Sequence, residues 1–211
     1  MFDFTIIHRD IRFPACKHHE GEMPSAATKE NRKNIAITNK SLLPYNESLL
    51  IFRRIKAILK PTKGELVMAV GGIRRKTIHQ KDIDILVNIR LDDIAGRLAL
   101  PSVESDRRKL SITSAGIAAI SHKAPSSIAI DIFYASNSEW PFALLHYTGN
   151  SIFNIQMRKH AKSKGYKLNQ YGIFNANTGR RVRGVNNIKT EKDIFKLLEL
   201  PYKTPINRDT T

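Results

Sequence analysis

The first 45 residues carry little periodic signal. An apolar FTII near the start gives way to His8, His18, His19 and the polar run SAATKENRKN. Residues 1–45 therefore read as a loosely attached N-terminal segment. From Asn46 the pattern sharpens. In NESLLIFRRIKAILK, Leu49, Phe52, Ile55, Ile58 and Leu59 recur at helical spacing with Arg53, Arg54 and Lys56 between them. Asn46 is the expected N-cap of this helix and Pro61 its stop. LVMAV (66–70) reads as a buried strand, IDILVNI (83–89) as a second, and isoleucine-rich SIAIDIFY (127–134) as a third. GRLAL and SITSAGIAAI lie between, and the pattern does not order them.

After Pro141 the character changes. HYTGNSIFNIQMRKHAKSKG begins with a Thr-Gly-Asn turn and continues as a helix through Ile152, Phe153, Gln156, Met157 and His160, closed by Gly165. KLNQYGIF is strand-like. Thr190 to Asp193 forms a capping-box variant that opens a last helix, KDIFKLLEL, ended by Pro201. These shifts place a boundary near residues 141–147, between a central unit of residues 46–145 and a C-terminal unit of residues 146–211. No internal repeat is visible.

Composition narrows the class. With 211 residues and a hydrophobic share of 41% the chain can bury a core. No apolar run reaches the ~18 residues of a membrane span, and the N-terminus lacks the features of a secretory signal or a mitochondrial presequence. The single cysteine, Cys16, excludes an internal disulfide framework. These features point to a soluble intracellular protein, with the nucleus and a viral replication site both left open. Cys16, His18, His19 and Glu20 match no standard zinc spacing. Charge is the most informative total. Lys+Arg 35 against Asp+Glu 19 gives a net +16, and from Arg158 onward the counts are 13 and 4. That balance favours nucleic acid through phosphate contacts and counterion release, over a merely solubilising surface or anionic lipid.

The candidate chemistry lies in AVGGIRRKTIHQKDIDILV, residues 69–87. Asp82 and Asp84 are two apart in a strand-like run, so both carboxylates project from one face. Such a pair repels unless a cation or proton holds it, and oxygen ligands suit Mg2+ or Mn2+. Taken alone, a sheet-edge pair bridged to lysines is the favoured reading. Gly71 and Gly72 follow a strand and precede IRRK, where backbone N–H groups can approach an anion and an arginine can fork onto a phosphate. A third acid, Asp131, is the lone charge in SIAIDIFY. Ile128, Ile130 and Ile132 would fill one face of that strand, leaving Asp131 on the other with Ala129 and Phe133. If that strand neighbours 83–89, three carboxylates meet around two cations suited to phosphoryl transfer.

Gly71-Gly72-x-Arg-Arg, followed by Asp82-x-Asp84, resembles the nucleotidyltransferase signature in the form used by family X DNA polymerases. HYTGNSIFNIQMRKHAKSKGYKLNQYGIF resembles the segment after the third aspartate in that family, where an aromatic-Thr-Gly turn leads into the helix that checks the nascent base pair. TEKDIFKLLELPYKTPINRD resembles the family's C-terminus. The similarity covers about residues 47–208 and is closest to the small viral repair polymerases with only palm and C-terminal subdomains.

The resemblance implies an α+β fold, a nucleotidyltransferase palm with a mixed sheet and flanking helices, plus a small α/β C-terminal subdomain. It implies a template-directed DNA polymerase that adds dNTPs to a primer 3′-hydroxyl and fills short gaps in base-excision repair, using two Mg2+ ions for which Mn2+ can substitute. Asp82, Asp84 and Asp131 correspond to the catalytic metal ligands, with Asp131 nearest the primer hydroxyl. Gly71, Gly72 and Arg75 correspond to the triphosphate end. His146, Tyr147, Thr148 and Gly149 correspond to the turn beneath the sugar, Asn154 to a contact with the incoming base, and Arg158 to the templating side. Ser151, Asn154 and Arg158 fall on one helix face, and Phe153 is assigned to the core. Implied partners are gapped or nicked double-stranded DNA, dNTPs and a DNA ligase; no membrane is implied, and the expected state is a monomer. Two departures stand out. Gly72 replaces a serine common in the family, and Ser151 replaces an acid of polymerase beta. No segment resembles the lyase domain, so no 5′-deoxyribose-phosphate lyase activity is expected. A template-independent or RNA nucleotidyltransferase, and a non-catalytic basic DNA-binding protein, are the alternatives.

Overall fold

The computed structural model describes residues 42–101, 108–117 and 128–209. The N-terminal Cys16, His18, His19 and Glu20 lie outside the described residues, as do residues 118–120 at the end of SITSAGIAAI.

Strand β1 (Leu43–Pro44) leads into helix α1 (Tyr45–Leu59). Asn46 lies inside this helix; Pro44 takes the N-cap position without a side-chain cap, and Ser48 instead donates from Oγ to the Pro44 carbonyl. A helical stripe of Ile51, Phe52, Ile55 and Leu59 is buried. The chain continues through β2 (Val67–Ala69), a one-turn helix α2 (Gly71–Arg75), β3 (His79–Gln80), β4 (Asp82–Val87) and α3 (Leu91–Arg97). After β5 (Lys109–Thr113) comes β6 (Ala129–Tyr134). One sheet orders these strands β2-β4-β6-β5. Only β4 and β6 run parallel; β2 and β5 pair antiparallel to them, so the sheet is mixed. Strand β2 sits at the edge with Leu66 and Met68 partly exposed, which departs from the buried strand expected there.

The two faces of the sheet differ as its side-chain alternation requires. Ile83, Ile85, Ile130 and Ile132 point into a core built with α1 and α3 and are fully buried. Each such side chain contributes about 1.5–3 kcal/mol relative to exposure. The opposite face carries Asp82, Asp84 and Asp131, and farther along β4 it carries Leu86. Leu86 packs with Val70, Ala135, Trp140, Ala143 and Leu144.

Helix α4 (Trp140–Thr148) joins the two halves of the chain. Trp140, Ala143 and Leu144 belong to the cluster on the acidic face, whereas Phe142 and Leu145 belong to the C-terminal core. That double burial explains why WPFALL is apolar all round. Helix α5 (Ser151–Ser163) follows; its N-cap Asn150 accepts from the Phe153 N–H. Phe153, Met157 and Ala161 are buried, as expected for Phe153. KLNQYGIF, read as strand-like, is a hairpin of β7 (Tyr166–Asn169) and β8 (Gly172–Asn175), turned at Gln170-Tyr171. The capping box of Thr190 and Asp193 is present and opens α6 (Glu191–Leu197). A 3-10 turn, Pro205–Arg208, completes this half. Residues Lys40–Thr211 cluster as one compact unit. No helix among the described residues is long and apolar enough to cross a membrane.

Candidate active site

The parallel pairing of β4 with β6 sets the acidic residues against one another. Asp84 and Asp131 are register partners across the two strands, and Asp82 lies opposite Ala129. Asp131 is also opposite Ser111 of β5, whose hydroxyl donates to Oδ1 at 2.7 Å. Lys109 Nζ sits 2.8 Å from Asp131 Oδ2 and 5.3 Å from the centre of the Phe133 ring. Burial, reinforced by the charges of Asp82 and Asp131, pushes the Asp84 carboxyl up to about 7, against the pull of Arg75 and Lys109.

Among the described residues no three His, Cys, Asp or Glu side chains converge closely enough to hold a metal ion as they stand. The backbone register brings the carboxylates together, but Asp131 is drawn toward β5 by Lys109 and Ser111. The donor set still fits a hard divalent cation. It offers only carboxylate oxygens, and a bound cation would offset both the burial and the neighbouring Asp82 and Asp131 charges that raise Asp84. Asp82, Asp84 and Asp131 are the residues able to supply the ligands.

The raised Asp84 has a measurable consequence. Its folded value, about 7, exceeds the ordinary 3.8. The native state therefore binds the proton more tightly than the unfolded chain, and stability is lost as pH rises from about 4 to about 7. Asp84→Asn is expected to raise the unfolding temperature of the chelator-treated protein at pH 8 and to change it little near pH 4. The gain is at most about 4 kcal/mol. Thermal unfolding at the two pH values checks this, and an equal effect at both would contradict it.

A cleft of about 600 Å³ adjoins the acids, lined by Gly71, Gly72, Arg75, Asp82, Asp84, Tyr147 and Gly149 among others. Gly71 adopts φ +55°, and a Cβ there would lie 2.1 Å from Asp84 Oδ2. Only glycine lets this turn approach the carboxylate so closely. At Gly72 a Cβ would meet Gln80 Oε1 at 2.0 Å and Thr77 Oγ1 at 2.7 Å. The space of the absent side chain is thus taken by Gln80, itself buried and donating to the Thr77 hydroxyl at 2.9 Å. The helix of this turn includes both glycines instead of starting at IRRK. Thr77, His79, Gln80, Lys81 and Asn150 also line the cleft, and pattern reading missed them because they come from loops and a two-residue strand.

The remaining candidate residues are distributed around the end of α4. The Tyr147 ring stacks on Phe133 with centroids 4.0 Å apart, and burial pushes its hydroxyl up to about 12. His146 packs edge-on against Tyr147; burial and the Arg158 charge lower its pKa. Asn154 Nδ2 donates to the carbonyls of His146 and Gly149, at 2.8 and 3.3 Å, which ties α5 to the turn. His146, Asn154 and Arg158 line a small pocket with Phe142, Met157 and Leu168, not the acidic cleft. A more apolar groove of about 510 Å³ on the C-terminal half, between Phe153, Met157, Phe195 and Leu200, contains none of the candidate residues.

Behind the cleft lies a network with no sequence signal beyond the Arg-Arg pair. Arg74 donates to Glu191 through both terminal nitrogens, at 3.0 and 2.7 Å, and to the buried Thr148 hydroxyl at 2.6 Å. The fully buried Arg208 donates to Glu191 Oε1 at 2.6 Å and to the Lys203 carbonyl. Burial alone would raise the Glu191 pKa, but the bonds from Arg74 and Arg208 hold it below the ordinary carboxylate range. Arg75 turns the other way. Its Nε donates to Asp209 at 2.7 Å and its Nη1 to the Thr148 carbonyl at 2.9 Å.

The profile of the DNA polymerase beta thumb family matches residues 143–209. The repair DNA polymerase X of African swine fever virus (isolate Warthog/Namibia/Wart80/1980) is 32% identical over 146 residues, 67% of this chain and 80% of that one. Rat DNA polymerase lambda is 30% identical over 69% of this chain and 29% of its own length. Among solved structures, Leishmania infantum polymerase beta in its ternary P/T complex shares the fold at TM-score 0.62, 22% identity, and 89% and 84% coverage. A mixed-sheet α+β fold with carboxylates on two adjacent strands, coupled to a thumb, thus defines the class as a DNA polymerase. The chain belongs to the family X DNA polymerases, among which it resembles the small viral repair enzymes. Membership makes it a DNA repair polymerase that depends on divalent metal.

Proposed function

We propose that the chain fills short gaps during base-excision repair, adding dNTPs under template direction and using two Mg2+ or Mn2+ ions. One observation carries this reading: the parallel register that pairs Asp84 with Asp131, with Asp82 on the same face and Arg75 across the same cleft. Residues 46–145 would then be the palm and 146–211 the nucleotide-selection subdomain. In this reading Asp82, Asp84 and Asp131 hold the cations, which when bound lower the pKa of the primer hydroxyl and neutralise the departing pyrophosphate. Asp131 takes the proton of the 3′-hydroxyl. The freed oxygen bonds to the α-phosphorus, and the bond from that phosphorus to the bridging oxygen breaks, releasing pyrophosphate. Arg75, Gly71 and Gly72 cradle the outgoing phosphates through forked and backbone donors.

At the other end of the nucleotide, Tyr147 supports the deoxyribose. The helix-to-turn change at Thr148-Gly149 keeps backbone near the sugar 2′ carbon, which disfavours a ribose. Asn154 and Arg158, beside the small pocket at the end of α4, then read the base pair. Gapped DNA is the substrate that fits best, since Leishmania infantum polymerase beta, of the same fold, has been solved as a ternary gap complex. The net charge of +16 would supply most of the grip on it, so synthesis should weaken steeply with salt. A DNA ligase would seal the product.

A single-nucleotide gap with each template base, offered each dNTP and rNTP in turn, tests this. Incorporation of the complementary dNTP only, dependent on divalent cation, is the expected outcome. Tailing with rNTPs irrespective of template would instead identify a template-independent nucleotidyltransferase.

A further inference from the structure

Arg75 and Asn150 form an anion seat at the edge of the cleft, and a carboxylate of the same chain fills it. Asp209 Oδ1 accepts from Arg75 Nε at 2.7 Å and from Asn150 Nδ2 at 3.1 Å. Both donors are held in advance. Arg75 is fixed by its second bond, from Nη1 to the Thr148 carbonyl. Asn150 is fixed because its Oδ1 caps α5 by accepting from the Phe153 N–H, which leaves Nδ2 to face Asp209. Asp209 itself is placed by its neighbour Arg208, fully buried and bonded to Glu191 and Lys203. Yet its own side chain stays 33% exposed, against 14% for Arg75. The anchor is therefore buried, while the carboxylate is partly open to solvent. Arg75 and Asn150 both line the acidic cleft with Gly71 and Gly72.

We propose that Asp209 is the built-in counter-anion of the triphosphate end of the site. It neutralises Arg75 while no nucleotide is bound and competes with an incoming triphosphate for Arg75 and Asn150. On this account Asp209 sets nucleotide affinity, and its charge, more than its hydrogen bond, is the active element. A negative charge beside the seat repels a polyanion and occupies the guanidinium edge, and both effects weaken nucleotide binding. The proposal rests on the reading of Arg75 as a triphosphate-holding residue.

Asp209→Asn separates charge from hydrogen bonding, since its amide oxygen still accepts from Arg75. On a single-nucleotide gap with template G, this variant is expected to lower the KM for dCTP roughly five-fold, the scale of one partly exposed ion pair. Inhibition by inorganic pyrophosphate should tighten in parallel, with kcat changed less than KM. Asp209→Ala should act in the same direction, and both effects should shrink as salt rises. In an Arg75→Gln background, itself raised in KM, Asp209→Asn should have little further effect. If Arg75→Gln raises KM while Asp209→Asn leaves it unchanged or raises it, Asp209 merely orients Arg75 and the counter-anion proposal falls alone. If Arg75→Gln leaves KM unchanged, the underlying assignment of Arg75 falls, and the proposal with it.

Discussion

Replacing Asp131 by asparagine is expected to abolish nucleotide incorporation while leaving the fold and the binding of gapped DNA nearly intact. The side chain sits where β6 faces both Asp84 on β4 and Ser111 on β5. Asparagine occupies the same volume, and β6 is held mainly by Ile130 and Ile132, both fully buried, so packing survives. What disappears is one negative charge among three and the group that accepts the primer proton. Loss of a positioned base alone costs about 10²–10⁴-fold in rate, and weakened cation binding adds to that. Single-turnover gap filling should fall by at least about 10³-fold, with gapped-DNA affinity from fluorescence anisotropy within about three-fold of the parent, since the basic surface is untouched. Incorporation at the parental rate would remove Asp131 from the chemistry and, with it, the proposed mechanism.

The second large effect concerns stability. Glu191, 4% exposed, stands between Arg74 of the one-turn helix α2 and the fully buried Arg208. Phe153, Phe195 and Tyr202 surround the Arg208 guanidinium at 5.3–5.9 Å. Removing the shared carboxylate leaves a buried cation among aromatic rings without its counter-charge. Breaking a buried pair in this way costs about 3–5 kcal/mol. Glu191→Ala should therefore lower the unfolding temperature by roughly 10 °C for a chain of this size. Glu191→Gln should do the same to a lesser degree, because its amide still accepts one bond. The sign with pH is also determined. A carboxyl held below its ordinary value contributes stability above about 4.5, and that contribution is lost as pH falls through the depressed folded value. Glu191→Ala should thus lose its disadvantage in strong acid. Wild-type-like unfolding of Glu191→Ala at neutral pH would show that the network does not clamp α2 to the C-terminal half.

The same residues show where sequence reading reaches and where it stops. Periodicity located α1, the strands around the acids, α5 and the capping box of α6, because each element is built from local spacing and local hydrogen bonds. It misjudged the N-cap of α1, since Pro44 presets the entry conformation without a capping side chain. It merged β7 and β8, since Gln170-Tyr171 is not a strong turn signal. It also described β2 as buried, although that strand lies at the sheet edge with Met68 partly exposed.

By itself the sequence determined the face on which each acid lies. Asp82 and Asp84 alternate with isoleucines, and so does Asp131, so hydrophobic burial of one face leaves the carboxylates on the other. Only the tertiary structure decided what those groups meet. The parallel pairing of β4 and β6 joins residues 47 positions apart. Lys109 and Ser111 reach Asp131 from a third strand, and Asp209 reaches Arg75 across 134 positions. Such contacts carry no periodic trace in the chain, because they depend on how buried faces pack and not on the spacing of residues along it.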